Sequence, residues 1–267
     1  MLMLNDNFIN EIQKKIVVND APFPCAVIKN VLPLEIAKKA ENDFLLFDKF
    51  VSQENFRYGR PKFSCSAFNE MPKSIKDIIT FFYSENFLKL LEKNFNLENV
   101  LPDWSLWGGG MHSSSRGRHL TVHSDFIYQR KTNTRRVINL LLYLNSDWKD
   151  EWNGNIELWD KKMTKKVQSL SPSLNNMLIF RTDKDSNHGF PDKLLCPEDV
   201  TRKSIALYYY VEDKRILPIQ FLKRKYYTTE WKKRPNTNDP EFMDRDKIWK
   251  KIKYKYLPSV FFKKNSS

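Results

Sequence analysis

Cysteine is scarce in this chain. Cys25, Cys65 and Cys196 are the only three among 267 residues, and they stand far apart. An odd count with no C-x-x-C pair excludes a disulfide framework and a cysteine-rich zinc site. A reducing cytoplasm is the compartment this implies. Long apolar runs are also missing: none approaches the ~18 residues of a membrane span, so no membrane partner is expected. The segment Met1 to Ile12 is broken by Asn5, Asp6, Asn7 and Glu11. It has neither the basic start nor the apolar stretch of a secretory signal. Internal repeats and low-complexity tracts are absent. Histidine and glycine are sparse, at 4 and 7 residues.

What remains is a globular composition. Hydrophobic residues make up 41% of the chain and charged ones 29%, which excludes wholesale disorder. At ~150 residues per domain, the length suits one or two domains with a sizeable core. The net charge is +13, and it is unevenly placed. From Lys214 to Ser267 there are 16 basic and 5 acidic residues, so the first 213 residues carry only about +2. A nearly neutral body is followed by a basic tail.

The pattern along the chain changes near residue 100. Leu4 to Ile16 has helical apolar spacing and ends before Pro22 and Pro24, which cannot continue a helix. Ala26–Val31 is a short strand candidate. Pro33–Phe47 predicts a helix, and Lys73–Phe95 predicts one long or two short helices. After Leu101 come short β-branched and aromatic runs: Trp104–Trp107, Leu120–Val122, Val137–Leu144, Ile156–Trp159, Lys166–Leu170, Met177–Phe180 and Ser204–Val211. Turn chemistry separates several of them, at Asn145–Asp147, Asn153–Asn155, Ser171–Ser173 and Phe190–Asp192. Short strands with such turns predict a jelly roll, and helices before strands make the chain α+β. The expected organisation is one globular unit with three parts. Residues 1–100 form a helical support, 101–213 the β core, and 214–267 a basic extension with one helix over Asp244–Tyr256.

Two of the four histidines have suggestive company. His123-Ser-Asp125 is an H-x-D triplet at the end of a strand candidate, and strand alternation puts residues 123 and 125 on one face. His188 follows 63 residues after Asp125, just past another strand candidate. In a jelly roll, strands distant in sequence become neighbours, so His188 can close the set. Two imidazoles and one carboxylate on one face of an octahedral metal leave three positions open, the facial triad of non-haem Fe(II) oxygenases. A histidine beside an aspartate is also how a surface ion pair is written. His112 and His119 have no such company and suggest no chemistry.

Arg202 opens the run Arg202-Lys-Ser-Ile-Ala-Leu-Tyr-Tyr-Tyr-Val211. Alternation places Arg202, Ser204, Ala206 and Tyr208 on one face. An inward guanidinium near a metal is suited to grip a carboxylate in bidentate fashion. The opposite phase, with Arg202 in solvent, is equally compatible with the pattern. Arg136, in the strand leading to Tyr143, could contact a substrate or simply be solvated, and the solvated reading is favoured. Gly108-Gly-Gly110 suggests a close approach or a mobile rim, and favours the rim; the spacing is wrong for a phosphate-binding loop.

The ordered blocks His123-Ser-Asp125, Tyr143-Leu-Asn-Ser-Asp-Trp148, Asn153-Gly-Asn-Ile-Glu-Leu-Trp-Asp160, His188-Gly189 and Arg202-Lys-Ser-Ile-Ala-Leu-Tyr208 resemble the prolyl-4-hydroxylase-like branch of the 2-oxoglutarate/Fe(II) dioxygenases. They are most similar to a bacterial and phage-type subgroup. The resemblance covers about a third of the chain, from His123 to Val211. It implies a double-stranded β-helix (a cupin-like jelly roll) with supporting N-terminal helices. His123, Asp125 and His188 would be the catalytic Fe(II) ligands. Arg202 would bind the distal carboxylate of 2-oxoglutarate. Tyr143 would hydrogen-bond 2-oxoglutarate, though ordinary strand core also fits that residue. The implied reaction is prolyl-hydroxylase-like: hydroxylation of an unactivated C–H bond with O₂ and 2-oxoglutarate as co-substrates, releasing succinate and CO₂, with ascorbate as a stimulant. The prime substrate stays open among a prolyl peptide, an amino acid and a glycan- or nucleotide-linked metabolite.

Two departures stand out. Asn153-Gly154 replaces the usual Gly-Gly turn, which is harmless because Asn tolerates the left-handed conformation. Ile127 replaces an Asn common after the H-x-D-Phe of relatives; if that Asn touches substrate, the substrate of this chain differs. The segment Phe126 to Arg135 is a candidate substrate lid, or a plain surface turn. In the tail, Thr228–Pro235 resembles a structural segment of the subgroup. Trp249–Tyr256 interleaves aromatics with lysines, which fits an amphipathic helix better than nucleic-acid binding. The competing function is a non-catalytic jelly-roll module that recognises an anionic polymer through the basic tail.

Overall fold

A computed structural model of the chain describes residues 4, 6–53, 62–129, 132–213, 229–235 and 237. The helices are α1 (Asp6–Lys15), α2 (Leu34–Leu45), α3 (Lys73–Phe82) and α4 (Glu85–Phe95). The strands are β1 (Cys25–Ile28), β2 (Val51–Gln53), β3 (Lys62–Cys65), β4 (Leu101–Pro102), β5 (Gly110–Ser114), β6 (Leu120–Ser124) and β7 (Tyr128–Gln129). They continue as β8 (Thr134–Tyr143), β9 (Ile156–Trp159), β10 (Lys166–Leu170), β11 (Met177–Arg181), β12 (Asn187–Phe190), β13 (Arg202–Glu212) and β14 (Glu230–Trp231). The helix expected over Asp244–Tyr256 lies outside the described residues.

Two antiparallel sheets face each other. The larger runs β1-β11-β8-β13-β5-β3-β2, with β4 on β13 and β7 on β8; the smaller runs β10-β9-β12-β6-β14. This is the α+β double-stranded β-helix. Residues 25–65 contribute strands to both edges of the large sheet, so the N-terminal third is woven into it.

Strand alternation divides the large sheet into two faces. On β8 and β13, Ile138, Leu140, Leu142, Ile205, Leu207 and Tyr209 point outward into the main hydrophobic core. There they meet the apolar stripes of the helices, including Ile75, Ile78 and Phe82 of α3 and Leu91 and Phe95 of α4. The long apolar run from residue 73 to 95 is two helices because Ser84 caps the second. Its side chain accepts the Phe87 N–H, and left-handed Asn96 ends the helix. The inward residues of the same strands, Asn139, Leu141, Tyr143, Arg202, Ser204, Ala206 and Tyr208, line a cavity. Below that cavity the sheets close on Cys25, Tyr143, Ile156, Leu158 and Phe180.

The strand expected over Trp104–Trp107 is instead a turn. Asp103 captures the Ser105 N–H with its carboxylate at 3.0 Å, and its carbonyl accepts the Leu106 N–H at 3.0 Å. Leu106 takes a positive φ of 49°. The side chain-to-backbone bonds of an aspartate turn outweigh the β propensity of the aromatics here. The strand lies just beyond, at β5. Gly110 explains its own presence: at φ +83° it runs so close to β3 that a Cβ would lie 2.2 Å from the Cys65 carbonyl oxygen.

Candidate metal and co-substrate site

The two histidines of the candidate site are cross-strand neighbours. His188 of β12 pairs in register with His123 of β6, and their rings lie 4.5 Å apart. Trp231 of β14 flanks His123 on its other side, with ring centroids 4.9 Å apart. Asp125 follows β6 directly. Its Oδ1 is 3.5 Å from His123 Nε2, and its Oδ2 is 3.5 Å from His188 Nε2. One ligand atom from each of the three residues lies within 4.8 Å of the others.

The backbone sets the histidine tautomers. His123 Nδ1 is 2.9 Å from the Thr121 carbonyl, and His188 Nδ1 is 2.9 Å from the Ser186 carbonyl. A carbonyl only accepts, so each Nδ1 carries the proton and each Nε2 keeps its lone pair toward the third ligand. Burial, and then the neighbouring His123, lower the His188 imidazole to about 4, which keeps it neutral and able to ligate. Burial alone would raise the Asp125 pKa. Arg136 and the two histidines overcome that and hold it well below the ordinary carboxylate range.

Arg136 is not the solvated residue its sequence context suggests. It is 1% exposed, and its Nη2 lies 3.1 Å from Asp125 Oδ2. Asn139 donates to the same oxygen at 2.7 Å and accepts from Arg136 Nε at 2.6 Å. The guanidinium sits 3.4 Å from the centroid of the Tyr208 ring. The physical reason is a bulge: Tyr209 pairs with Ile138 while Tyr210 pairs with Arg136, leaving Val137 as an extra residue. The bulge turns Arg136 to the cavity face that Asn139 already occupies. Two polar residues inside an apolar strand were the available signal.

Arg202 is buried at the other end of the cavity. Its Nε donates to the Gly154 carbonyl at 2.7 Å, and its guanidinium lies 4.3 Å from the Phe190 ring centroid and 4.9 Å from that of Tyr143. Among the described residues no carboxylate pairs with it. The buried Tyr143 hydroxyl has no hydrogen-bond partner there either. A buried guanidinium and an orphaned phenol facing one cavity are costly unless a ligand completes them. The three ligand atoms suit Fe(II), and the Arg202–Tyr143 pair suits a carboxylate, so the residues fit Fe(II) and 2-oxoglutarate.

The cavity between the sheets has a volume of about 440 Å³. Besides the five expected residues it is lined by Lys62 and Arg118, which sequence reasoning did not single out, and by His112 and Arg136, for which it favoured no role. His112 was read as chemically silent, yet it faces this cavity with its Nε2 2.9 Å from Lys62 Nζ. His119 does not line it. Gly108 borders the cavity, while Gly109 and Gly110 serve close backbone packing.

A facial triad at one end of a double-stranded β-helix defines a class of non-haem iron oxygenases, and comparison with known proteins agrees. Residues 109–210 match the family model of the 2OG-Fe(II) oxygenase superfamily. Among solved structures, a prolyl hydroxylase from Trichoplax adhaerens, in complex with a hypoxia inducible factor peptide fragment, is similar with a TM-score of 0.53 at 16% identity. That match covers 76% of this chain and 87% of the other. A prolyl-4-hydroxylase from Pseudomonas putida is similar with a TM-score of 0.51 at 12% identity, covering 71% of this chain and 92% of that one. Likeness at this identity is a likeness of fold. No curated protein sequence matches the chain.

Proposed function

We propose that this protein is an Fe(II)- and 2-oxoglutarate-dependent dioxygenase that hydroxylates an unactivated C–H bond. The observation that carries the reading is the convergence of His123, Asp125 and His188 beside a buried, carboxylate-free Arg202 in one cavity. His123 and His188 would hold Fe(II) through Nε2 and Asp125 through a carboxylate oxygen. When bound with 2-oxoglutarate and O₂, the iron supplies oxidative decarboxylation to succinate and CO₂, coupled to hydroxylation.

The protein's own residues bind and orient. Arg202 receives the distal carboxylate of 2-oxoglutarate, pre-aligned by its bond to Gly154. Tyr143 donates its otherwise idle hydroxyl to the same ligand. Leu120, Leu141, Ile156 and Phe190 line the cavity and keep water from the charged ends. Arg136 and Asn139 hold Asp125 in one orientation. The polymer-binding alternative finds no support among the described residues.

The test is succinate formation. Purified protein is incubated anaerobically with Fe(II) and 2-oxoglutarate, then exposed to air. Wild type is expected to form succinate above His123→Ala and Arg202→Ala. Equal yields from all three, with no visible Fe(II)–2-oxoglutarate absorbance in wild type, would sink the assignment.

A further inference from the structure

The cavity holds more positive charge than the proposed chemistry uses. Four permanent or potential cations line it: Lys62, Arg118, Arg136 and Arg202. Asp125 is the sole carboxylate among its described lining residues. Arg136 is engaged by Asp125, and Arg202 is engaged by 2-oxoglutarate in the reading above. Lys62 then faces the cavity with no further carboxylate among the described lining residues.

The placement of Lys62 separates it from Arg202. Ser114 of β5 pairs with Lys62 of β3 on one side and with Arg202 of β13 on the other. Two strand spacings, about 10 Å, therefore lie between the two backbone positions. Lys62 Nζ meets His112 Nε2 at 2.9 Å, a neutral base and not a carboxylate. The same Nε2 lies 3.2 Å from the Gly109 carbonyl; it either donates there or accepts from Lys62, so an ammonium at Lys62 requires the imidazole proton on Nδ1. Burial, then the charge of Arg118, lowers the Lys62 amine to about 7, against a weaker opposing pull from Asp125. An amine buried at that cost beside a reaction cavity takes up its proton fully when a ligand brings the counter-charge.

We propose that Lys62, backed by His112 and facing the same cavity as Arg118, binds an anionic group, a carboxylate or a phosphate, on the molecule that is hydroxylated. The proposal rests on the dioxygenase reading, which places 2-oxoglutarate at Arg202. It makes the prime substrate a small anionic molecule or an anionic segment of a larger one, recognised two strands away from the co-substrate.

The test uses the full chain loaded with Mn(II) and saturated with 2-oxoglutarate. Inorganic phosphate and acetate serve separately as probes, and the readout is paramagnetic relaxation of their ³¹P and ¹³C signals. Wild type is expected to relax at least one probe, and which one responds tells phosphate from carboxylate. Lys62→Met is expected to weaken that probe's binding by about tenfold or more, the loss of a charge-assisted hydrogen bond, with 2-oxoglutarate affinity unchanged. Lys62→Arg is expected to retain the probe, which separates charge from folding. Arg202→Met is expected to do the reverse, losing 2-oxoglutarate and keeping the probe. The proposal is overturned if neither probe is relaxed, or if Lys62→Met leaves probe binding intact. It is also overturned if Lys62→Met weakens 2-oxoglutarate itself, since Lys62 would then belong to the co-substrate cradle. A prior Mn(II) titration separates these results from failure of the metal assignment, in which wild type binds no Mn(II) at all.

Discussion

Arg136 ties down Asp125: its guanidinium lies 3.1 Å from the carboxylate oxygen that also accepts from Asn139. One oxygen of the proposed metal ligand is thereby held by an ion pair and a hydrogen bond from two residues that do not themselves ligate. Removing Arg136 leaves Asp125 buried with less counter-charge. Arg136→Met is expected to lower Mn(II) affinity about 10–100-fold, the usual effect of losing a partner that orients a ligand. The metal-free variant is expected to lose about 3–5 kcal/mol of stability, as for one broken half of a buried ion pair. Asn139→Ala gives a milder form of the same defect. A folded Arg136→Met protein with wild-type Mn(II) affinity would contradict this role.

Tyr143 gives a test in which the sign reverses. Among the described residues its buried hydroxyl has no partner of good hydrogen-bond geometry, and Arg202 is the polar group beside it. Tyr143→Phe is therefore expected to be neutral or to stabilise the ligand-free protein by up to about 1 kcal/mol. The same change is expected to shrink the rise in Tm on adding Mn(II) and 2-oxoglutarate. Thermal melts with and without ligand measure both. Destabilisation of the ligand-free form would mean the hydroxyl has a structural partner.

Gly154 connects a turn to co-substrate binding. At φ +86° it offers its carbonyl to Arg202, and a Cβ there would lie 2.7 Å from Leu194 Cδ2 and 3.2 Å from Arg202 Cδ. Gly154→Ala meets both a conformational cost of about 1–2 kcal/mol and a push on Arg202. The expected result is weaker 2-oxoglutarate binding, by about tenfold, with Mn(II) affinity unchanged. Calorimetric titration of each ligand distinguishes this from general unfolding, which would lower both.

The His188 imidazole is lowered to about 4. In the unfolded chain it takes up a proton near pH 6.5. Between those values the unfolded state binds more protons, so the metal-free protein loses stability as pH falls from about 6.5 to 4. The His188 contribution is complete above that window. Urea melts across pH 7 to 4.5 are expected to show a steeper decline for wild type than for His188→Gln. Parallel slopes would show that His188 titrates alike in both states.

Much of this molecule was legible before folding was considered. The H-x-D triplet, the distant histidine and the arginine strand carried their chemistry in residue type and order. Period-two alternation put Arg202, Ser204, Ala206 and Tyr208 on one face because β13 is regular from Arg202 to Tyr209, and the fold made that face the inward one. The helices followed from apolar periodicity and from prolines that stop it. Such signals are local, and local sterics and burial enforce them.

Tertiary structure decided the rest. Arg136 reached the cavity through a one-residue bulge at Val137 that inverts the strand phase, and a bulge is fixed by pairing with β13, not by β8 alone. Lys62, His112 and Arg118 belong to β3, β5 and the turn after β5, and nothing in their neighbours along the chain marks them. They share a cavity because β3 and β13 both pair with β5. The opposition of His123 and His188 is of the same kind: sequence supplied the two imidazoles, and only the register of β6 with β12 brought their rings together. Chemistry that resides in one side chain is written in the sequence. Chemistry that needs two charges at a chosen distance exists only once the sheet has set their register.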